Sequence, residues 1–487
     1  MKKTIQLLLL VALINSCQSN ESKPPLSDST ANVSNPDSMN FKEQEVSETD
    51  SLTTAQAREL VLKAKKEGAK YLSLLNMKEP LPNELFTLTN LDSLDLWGYG
   101  LESISDSIGM LKNVRFLAFN QSKLKRLPNG FGQMTNLRFL DFSRGLIPEF
   151  PKSAKSLKKL QNLNCVASES ELPESLGNLT YLRRLDFYKG SITKLPESIG
   201  ELIYLEEIDC VKEYSLRDIP ESFGNLKSLR RFRSGLNNLS KLPESFGNLQ
   251  NLRFLQVDGV VKLPKSISQL NLDTFWIGSS STTINLPDNF TDIHVKYLTI
   301  ESCHLKKLPE NFGNIKGLRK LLLGKNELTY LPESFGNLNE LETLALQNNS
   351  LRKLPASFNQ LLALKELDLQ INKFKEVPTS LFELTNLTLL DLGTNDINSL
   401  PSNISNLSSL TFLSFYNNSI SDIPTEISAL QQLETLDLAK NGLKQVPKVL
   451  KQLKKLKACS LSENQISNLP KEYNGIESDD HNSSHFW

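Results

Sequence analysis

Residues 318–332 read LRKLLLGKNELTYLP, in which Leu318, Leu321, Leu323, Asn326, Leu328, Leu331 and Pro332 stand at fixed offsets. The phrase returns at 341–355, 364–378, 387–401, 410–424, 433–447 and 456–470, each time 23 residues on, with other apolar residues in some leucine places. A fixed period in the twenties means one small structural unit copied along the chain. A unit of this size cannot bury its apolar side alone, so neighbours must stack.

Working outward, the proline column reads Pro82, Pro128, Pro151, Pro173, Pro196, Pro220, Pro243, Pro264, Pro287, Pro309 and then Pro332 to Pro470, with Ser105 standing in once, which makes 18 units. The step is 23 residues in most places but 22, 24, 21 and 22 at Pro173, Pro220, Pro264 and Pro309. Within a unit, alternation such as Leu344 and Leu346 predicts a short strand with one buried face. The following proline fixes φ and keeps the preceding residue extended, turning the chain away from the strand layer. Phe131, Ile199, Phe223, Phe246, Phe335 and Ile404 then drop back inside, and Gly132, Gly224, Gly247 and Gly336 are expected to permit a tight bend. The fold class is an α/β solenoid, a horseshoe with a parallel β-sheet on its concave face and about 18 repeats of 23 residues.

Asn326, Asn349, Asn372, Asn395, Asn418, Asn441 and Asn464 form a column of their own. A buried amide offers donors and an acceptor, so this column should satisfy the turn backbone of its own unit and of the next. Earlier units place Tyr99, Ser122, Gly145, Gly190, Asn237 and Cys303 there, which predicts a looser first half.

The ends differ from the array. Lys2 and Lys3 precede an apolar run from Ile5 to Ile14, too short to span a bilayer but of signal-peptide length, so 1–17 reads as an export signal. Residues 18–52 are polar and read as a disordered tether. At 53–68, Thr53 or Thr54 can cap a helix with Leu60, Val61 and Ala64 on one face and Gly68 as its stop, covering the first strand edge. The repeat domain then runs over 69–474, followed by a polar tail at 475–487; of the residues after Pro470, Tyr473, Ile476, Phe486 and Trp487 are those that could fold over the last unit.

The stretches PESFGNLKSL at 220–229, LPESFGNLQNL at 242–252 and LPESFGNLNEL at 331–341 resemble bacterial leucine-rich repeat proteins, and the repeat class is similar to that of plant intracellular Ras-group proteins. The resemblance covers about residues 68–474 and implies protein binding through the concave strand face, with no catalytic motif to carry over. Ile14, Asn15, Ser16 and Cys17 resemble the lipobox of bacterial lipoproteins, although Asn15 departs from the usual small residue. That resemblance implies lipidation at Cys17, and several acyl chains would hold where one holds only marginally.

Chemistry is thinly represented. The four histidines, His294, His304, His481 and His485, lack a nucleophile or acid partner at motif spacing. His481 and His485 beside Asp479 and Asp480 read as a solvated tail in preference to a metal site. No phosphate loop, GxSxG or HExxH occurs, so no enzyme, cofactor or metal is expected. Cys165, Cys210 and Cys459 fall on inward strand positions, with no disulfide framework expected. Lys plus Arg and Asp plus Glu both number 55, which removes the net field that would gather nucleic acid or an anionic membrane.

Strand residues that alternate with the buried leucines face outward. Trp97, Phe116, Phe139, Arg184, Tyr188, Arg231, Arg233, Phe254, Trp276 and Tyr297, together with Tyr71, supply aromatic and guanidinium side chains there, the types that dominate binding hot spots. Later units look blander, with Thr343, Ala345, Asp368, Gln370, Asp391 and Thr435. The expected function is a non-catalytic scaffold at the bacterial cell envelope, as an outer-membrane lipoprotein, that binds a protein or peptide through units two to eleven. Its only membrane contact would be the lipid anchor. Two other classes stand beside it: a carbohydrate-binding surface protein, since Trp and Tyr also stack on sugars, and a cytoplasmic signalling regulator like the Ras-group proteins.

Overall fold

The computed structural model describes residues 52–470 except 78–79, 99, 121, 143–146, 166–170, 188–191, 211–214, 236–238, 261, 279–282 and 469. The expectations for Cys17, the signal, most of the tether and the polar tail lie outside the described residues, as do those for Tyr99, Gly145, Gly190, Asn237 and Tyr188. Units are numbered by the proline column, so Pro82 closes unit one.

Among the described residues eighteen strands, β1 (Tyr71–Leu75) to β18 (Ala458–Ser460), form one parallel sheet in which each strand pairs with the next in sequence. Leu94, Leu117, Leu140, Leu321, Leu344 and Leu367 are buried in one row, and the residues before them, such as Phe116, Phe139, Lys320, Thr343 and Glu366, are partly exposed, whereas Ala118, Leu322, Ala345 and Asp368 after them are buried as well. Each buried leucine contributes about 1.5–3 kcal/mol, and only the next unit supplies the surface that buries it.

On the opposite side the proline of most units leads into a five-residue 3-10 helix, such as Glu333–Asn337 after Pro332 (φ −68°, ψ 153°), while those after Pro287 and Pro309 shorten to three residues. The returning phenylalanines make a spine, with Phe312, Phe335 and Phe358 stacked at 6.1 Å. The glycines beside them act differently from the tight bend expected. Gly336 is not in the left-handed region, but a Cβ on it would lie 2.2 Å from the Ser357 carbonyl oxygen, and Gly224 meets Ser245 in the same way at 2.4 Å. At these steps the next 3-10 turn comes too close to leave room for a side chain.

A cross-unit cap reinforces this layer. The Glu333 carboxylate accepts from the backbone N–H groups of Ala356 (3.3 Å) and Ser357 (3.2 Å), where the next 3-10 helix begins, and Glu174 and Glu221 do the same one unit ahead of themselves. Those hydrogen bonds from Ser357 and Ala356 hold the Glu333 carboxyl below its usual range.

The asparagine column is an amide ladder, and its bonds reach back to the preceding unit, not forward as the sequence suggested. Asn326 Nδ2 donates to the Ile300 carbonyl at 2.7 Å and to Leu323 of its own unit at 3.0 Å, while Oδ1 accepts from Cys303 and Leu305 N–H at 3.1 Å. The direction has a cause: turn N–H groups already donate forward, Leu323 to Ala345 at 2.8 Å and Lys325 to Gln347 at 2.9 Å. What remains unpaired lies on the unit before. Each ladder residue follows one in the left-handed region: Lys325, Asn348, Ile371, Thr394, Asn417, Lys440 and Glu463 have φ of 52–56°. Among the earlier positions Ser122 donates only to the Phe119 carbonyl of its own unit, at 3.3 Å.

Helix α1 (Thr54–Glu67) precedes β1, with a capping box between Thr53 and Gln56 and Gly68 in the left-handed conformation at its end. It buries Ala57, Val61 and Ala64, and ties to unit one through Thr54 to the Pro80 carbonyl (3.0 Å) and to the start of unit two through Arg58 to Glu84 (2.7 Å).

The regular beat breaks at β10 (Asn271–Gly278) and β11 (His294–Glu301), each eight residues long where later strands have three. The connection into a regular strand reads Leu338-Asn339-Glu340-Leu341, but into β10 it reads Leu270-Asn271-Leu272 and into β11 Ile293-His294-Val295, one residue shorter. Without that residue the turn vanishes and the strand extends back to the 3-10 helix.

Candidate functional site on the open face of the sheet

Register places the outward side chains in rows. Phe116 and Phe139 are partners on neighbouring strands, their rings stacked at 5.1 Å. Trp97 stands on β2 (Ser93–Trp97), in a row further along the strand. Next along the first row come Asn162 and Arg184, so the early aromatics are separated from the later group.

The structure brings together Arg231, Arg233, Phe254, Trp276 and Tyr297 on β8 (Arg231–Ser234), β9 (Phe254–Asp258), β10 and β11. The Arg231 guanidinium lies 4.3 Å from the centre of the Phe254 ring. Phe254 pairs with Thr274 and Thr274 with Tyr297, while Arg233, Gln256 and Trp276 follow one another in the second row. All five are partly or largely exposed, Tyr297 at 45 %. Tyr188 lies outside the described residues.

The arginines carry less free charge than their sequence positions suggest. Arg183 and Arg184 pair with Glu206 and Glu207 across β6 (Arg184–Phe187) and β7 (Glu207–Asp209), and Arg233 pairs with Asp209 at 3.0 Å. Sequence reasoning passed over these acids. Their signal was legible as opposite charge at an offset of one unit, which parallel pairing turns into direct adjacency. Exposed pairs of this kind are worth at most about 1 kcal/mol each, so a partner can displace them.

The same face carries carboxyls with altered acidity. Burial pushes Asp95 up to about 6, helped by Asp141 and opposed by a hydrogen bond from Asn120. Burial lifts Glu301 to about 7 against the pull of Lys325 and Lys320. Asp368 is raised well above the usual range by burial and by Asp391. The later units are therefore not bland, but their acids do structural work: Asp368, Asp391 and Asp437 accept from the backbone N–H of Gln370 (2.9 Å), Gly393 (2.8 Å) and Ala439 (2.9 Å), two residues on.

Cys165, Cys210, Cys303 and Cys459 are buried thiols outside any disulfide. Burial, with Asp437 beside it, pushes the Cys459 thiol to about 12, which removes it as a nucleophile. Among the described residues no group of three or more His, Cys, Asp or Glu side chains could hold a metal ion, and no helix is long and apolar enough to cross a membrane.

With the repeat geometry fixed, its relatives can be named. A model of the leucine-rich repeat region matches residues 68–169 and 136–235, one of the leucine rich repeat matches 293–351, and one of leucine rich repeats in two copies matches 408–452. The chain is a leucine-rich repeat protein. This leucine-rich repeat chain matches no curated protein at a significant level. Among solved structures it is similar to the HAESA receptor kinase ectodomain of Arabidopsis in complex with an IDA peptide hormone (26 % identity, TM-score 0.50, 83 % of this chain and 72 % of that one). It is similar in fold to the Toll–Spatzle complex of Drosophila (21 %, TM-score 0.62, 82 % of this chain), of which it spans about half, 54 %. A leucine-rich repeat protein of Leptospira interrogans is 26 % identical over 87 % of this chain and 89 % of that one, with a TM-score of 0.49.

Proposed function

We propose that this leucine-rich repeat protein is a non-catalytic recognition scaffold, held at the bacterial cell envelope through Cys17, that binds a protein or peptide across the outward rows of units two to eleven. One observation carries the reading: Arg231, Phe254 and Tyr297 stand at least partly exposed in one row across β8, β9 and β11, with Trp276 of β10 in the row beside them. Rigid elements that display large aromatic side chains lose little entropy on binding. The HAESA ectodomain, which carries a peptide hormone, supports the reading by likeness of fold and sequence.

The test is affinity capture from intact bacterial cells. Replacing Arg231, Phe254 and Trp276 by alanine should abolish capture of the partner, whereas Thr343→Ala and Thr435→Ala should leave it intact. Equal loss from both sets refutes the regional assignment, and capture of glycans that depends on Trp97 and Trp276 would favour the carbohydrate reading. Palmitate labelling and membrane fractionation of the native chain and Cys17→Ala test the anchor; an unlabelled, cytoplasmic wild type would favour the signalling-regulator reading.

A further inference from the structure

The irregular step in the solenoid leaves a cavity of about 420 Å³, within the range of small-ligand sites. Its cause lies in the connection lengths. The chain enters β11 through Ile293-His294-Val295, one residue short, and then regains the full turn at Ile315-Lys316-Gly317-Leu318 and Leu338-Asn339-Glu340-Leu341. The shortened connection at His294 and Lys296 and the two full turns, at 313–319 and 337–340, together line the cavity.

Its lining has a definite charge. His294, Lys296, Lys316 and Arg319 face it, against a single carboxylate, Glu340. Lys296 is partnered by Asp273 at 2.7 Å, and Arg319 reaches Glu342 at 3.4 Å, while Lys365 holds that same carboxylate more closely at 2.6 Å. The Lys316 ammonium and the His294 imidazole have no side-chain partner among the described residues. Gly317, at φ +72°, keeps the floor open, because a Cβ there would lie 3.0 Å from the His294 ring. A cleft lined by one sign of charge concentrates ions of the other sign.

We propose that this cavity binds an anionic group, a phosphate or a carboxylate, with Lys316 and His294 as direct donors and Lys296 and Arg319 completing the positive field. Lys316 and Arg319 would meet the oxygens by charge-assisted hydrogen bonds, and the imidazole supplies a further N–H. The site adjoins the outward aromatic row, since Lys296 precedes Tyr297, but it stands without that row being a binding surface.

Histidine ring resonances of the full chain provide the test, with the His294 signal assigned by its loss in His294→Gln. Titration with inorganic phosphate, and separately with acetate, should move that signal saturably and leave the other three in place. The double variant Lys316→Gln, Arg319→Gln should weaken binding by about tenfold or more, roughly 1.4 kcal/mol. Saturation with phosphate alone assigns a phosphate-type ligand, and saturation with acetate a carboxylate. No saturable movement in the wild type with either anion overturns the proposal, as does an unchanged Kd in a double variant whose other histidine signals show it folded. Neither result bears on the capture experiment with Arg231, Phe254 and Trp276.

Discussion

The side-chain amide of Asn372 donates to the carbonyl of Leu346, one unit before it, at 3.0 Å, and its oxygen accepts from the N–H of Leu351 at 3.0 Å. One buried side chain thereby closes two backbone groups that the parallel sheet leaves open. Asn372→Ala should cost about 1–3 kcal/mol, the penalty for stranding buried polar groups. Asn372→Asp should be no better, because a carboxylate cannot donate. Urea unfolding monitored by circular dichroism gives the answer; an alanine variant as stable as wild type would remove the ladder from the account of stability.

Ile371, beside it, holds φ at 52°, a region in which a β-branched side chain is strained, and it is 43 % exposed, so little packing compensates. Asn348 and Asn417 occupy the same place in sister units. Ile371→Asn should therefore stabilise the protein by about 1 kcal/mol. A lower melting temperature than wild type would show that Ile371 packs in a way its exposure does not suggest.

Gly336 offers the opposite case. A methyl group there would press on the Ser357 carbonyl, and the backbone of the next 3-10 turn would have to shift. Gly336→Ala is expected to destabilise by about 1–3 kcal/mol despite its gain in backbone entropy. The contrast is with Ile371→Asn one unit away, and the two should move the unfolding midpoint in opposite directions.

Glu301 predicts a pH dependence. Its pKa stands at about 7 in the fold against an ordinary 4.5, so the native state holds a proton that the unfolded chain releases. Its contribution to stability is complete below about pH 4.5 and is lost as pH rises through 7; Asp368, also raised, acts in the same direction. Glu301→Gln should stabilise the protein relative to wild type above pH 7, by no more than about 3 kcal/mol, and have little effect near pH 4.5. Thermal melts at both ends of that window decide it: a difference that does not change with pH would show that Glu301 ionises as freely in the fold as in solution.

Much of the fold is written plainly in the chain. The alternation at Leu344 and Leu346, the proline column and the row from Asn326 to Asn464 each repeat one chemical choice at one offset, and repetition is what a linear reading detects best. The candidate surface was legible to the same extent: position parity tells that Phe116, Arg231 and Trp276 face outward. It could not tell that Phe116 stacks on Phe139, that Arg184 and Arg233 are matched by Glu207 and Asp209, or that Arg231 lies over Phe254. Nor did it find the Glu333 cap or the reason for Gly336, because both depend on how far one turn is offset from the next.

The sequence by itself determined the number of units, the parallel order of their strands and which side chains are inside, since a 23-residue period leaves a stacked chain few other ways to bury its leucines. Tertiary structure alone decided the direction of the amide ladder, the pairing of the outward charges and the cavity at His294. These depend on the rise and slant between neighbouring units, a distance measured across the stack and not along the chain, and a missing residue before β11 acquires meaning only when the full turns of units twelve and thirteen line a cavity with it.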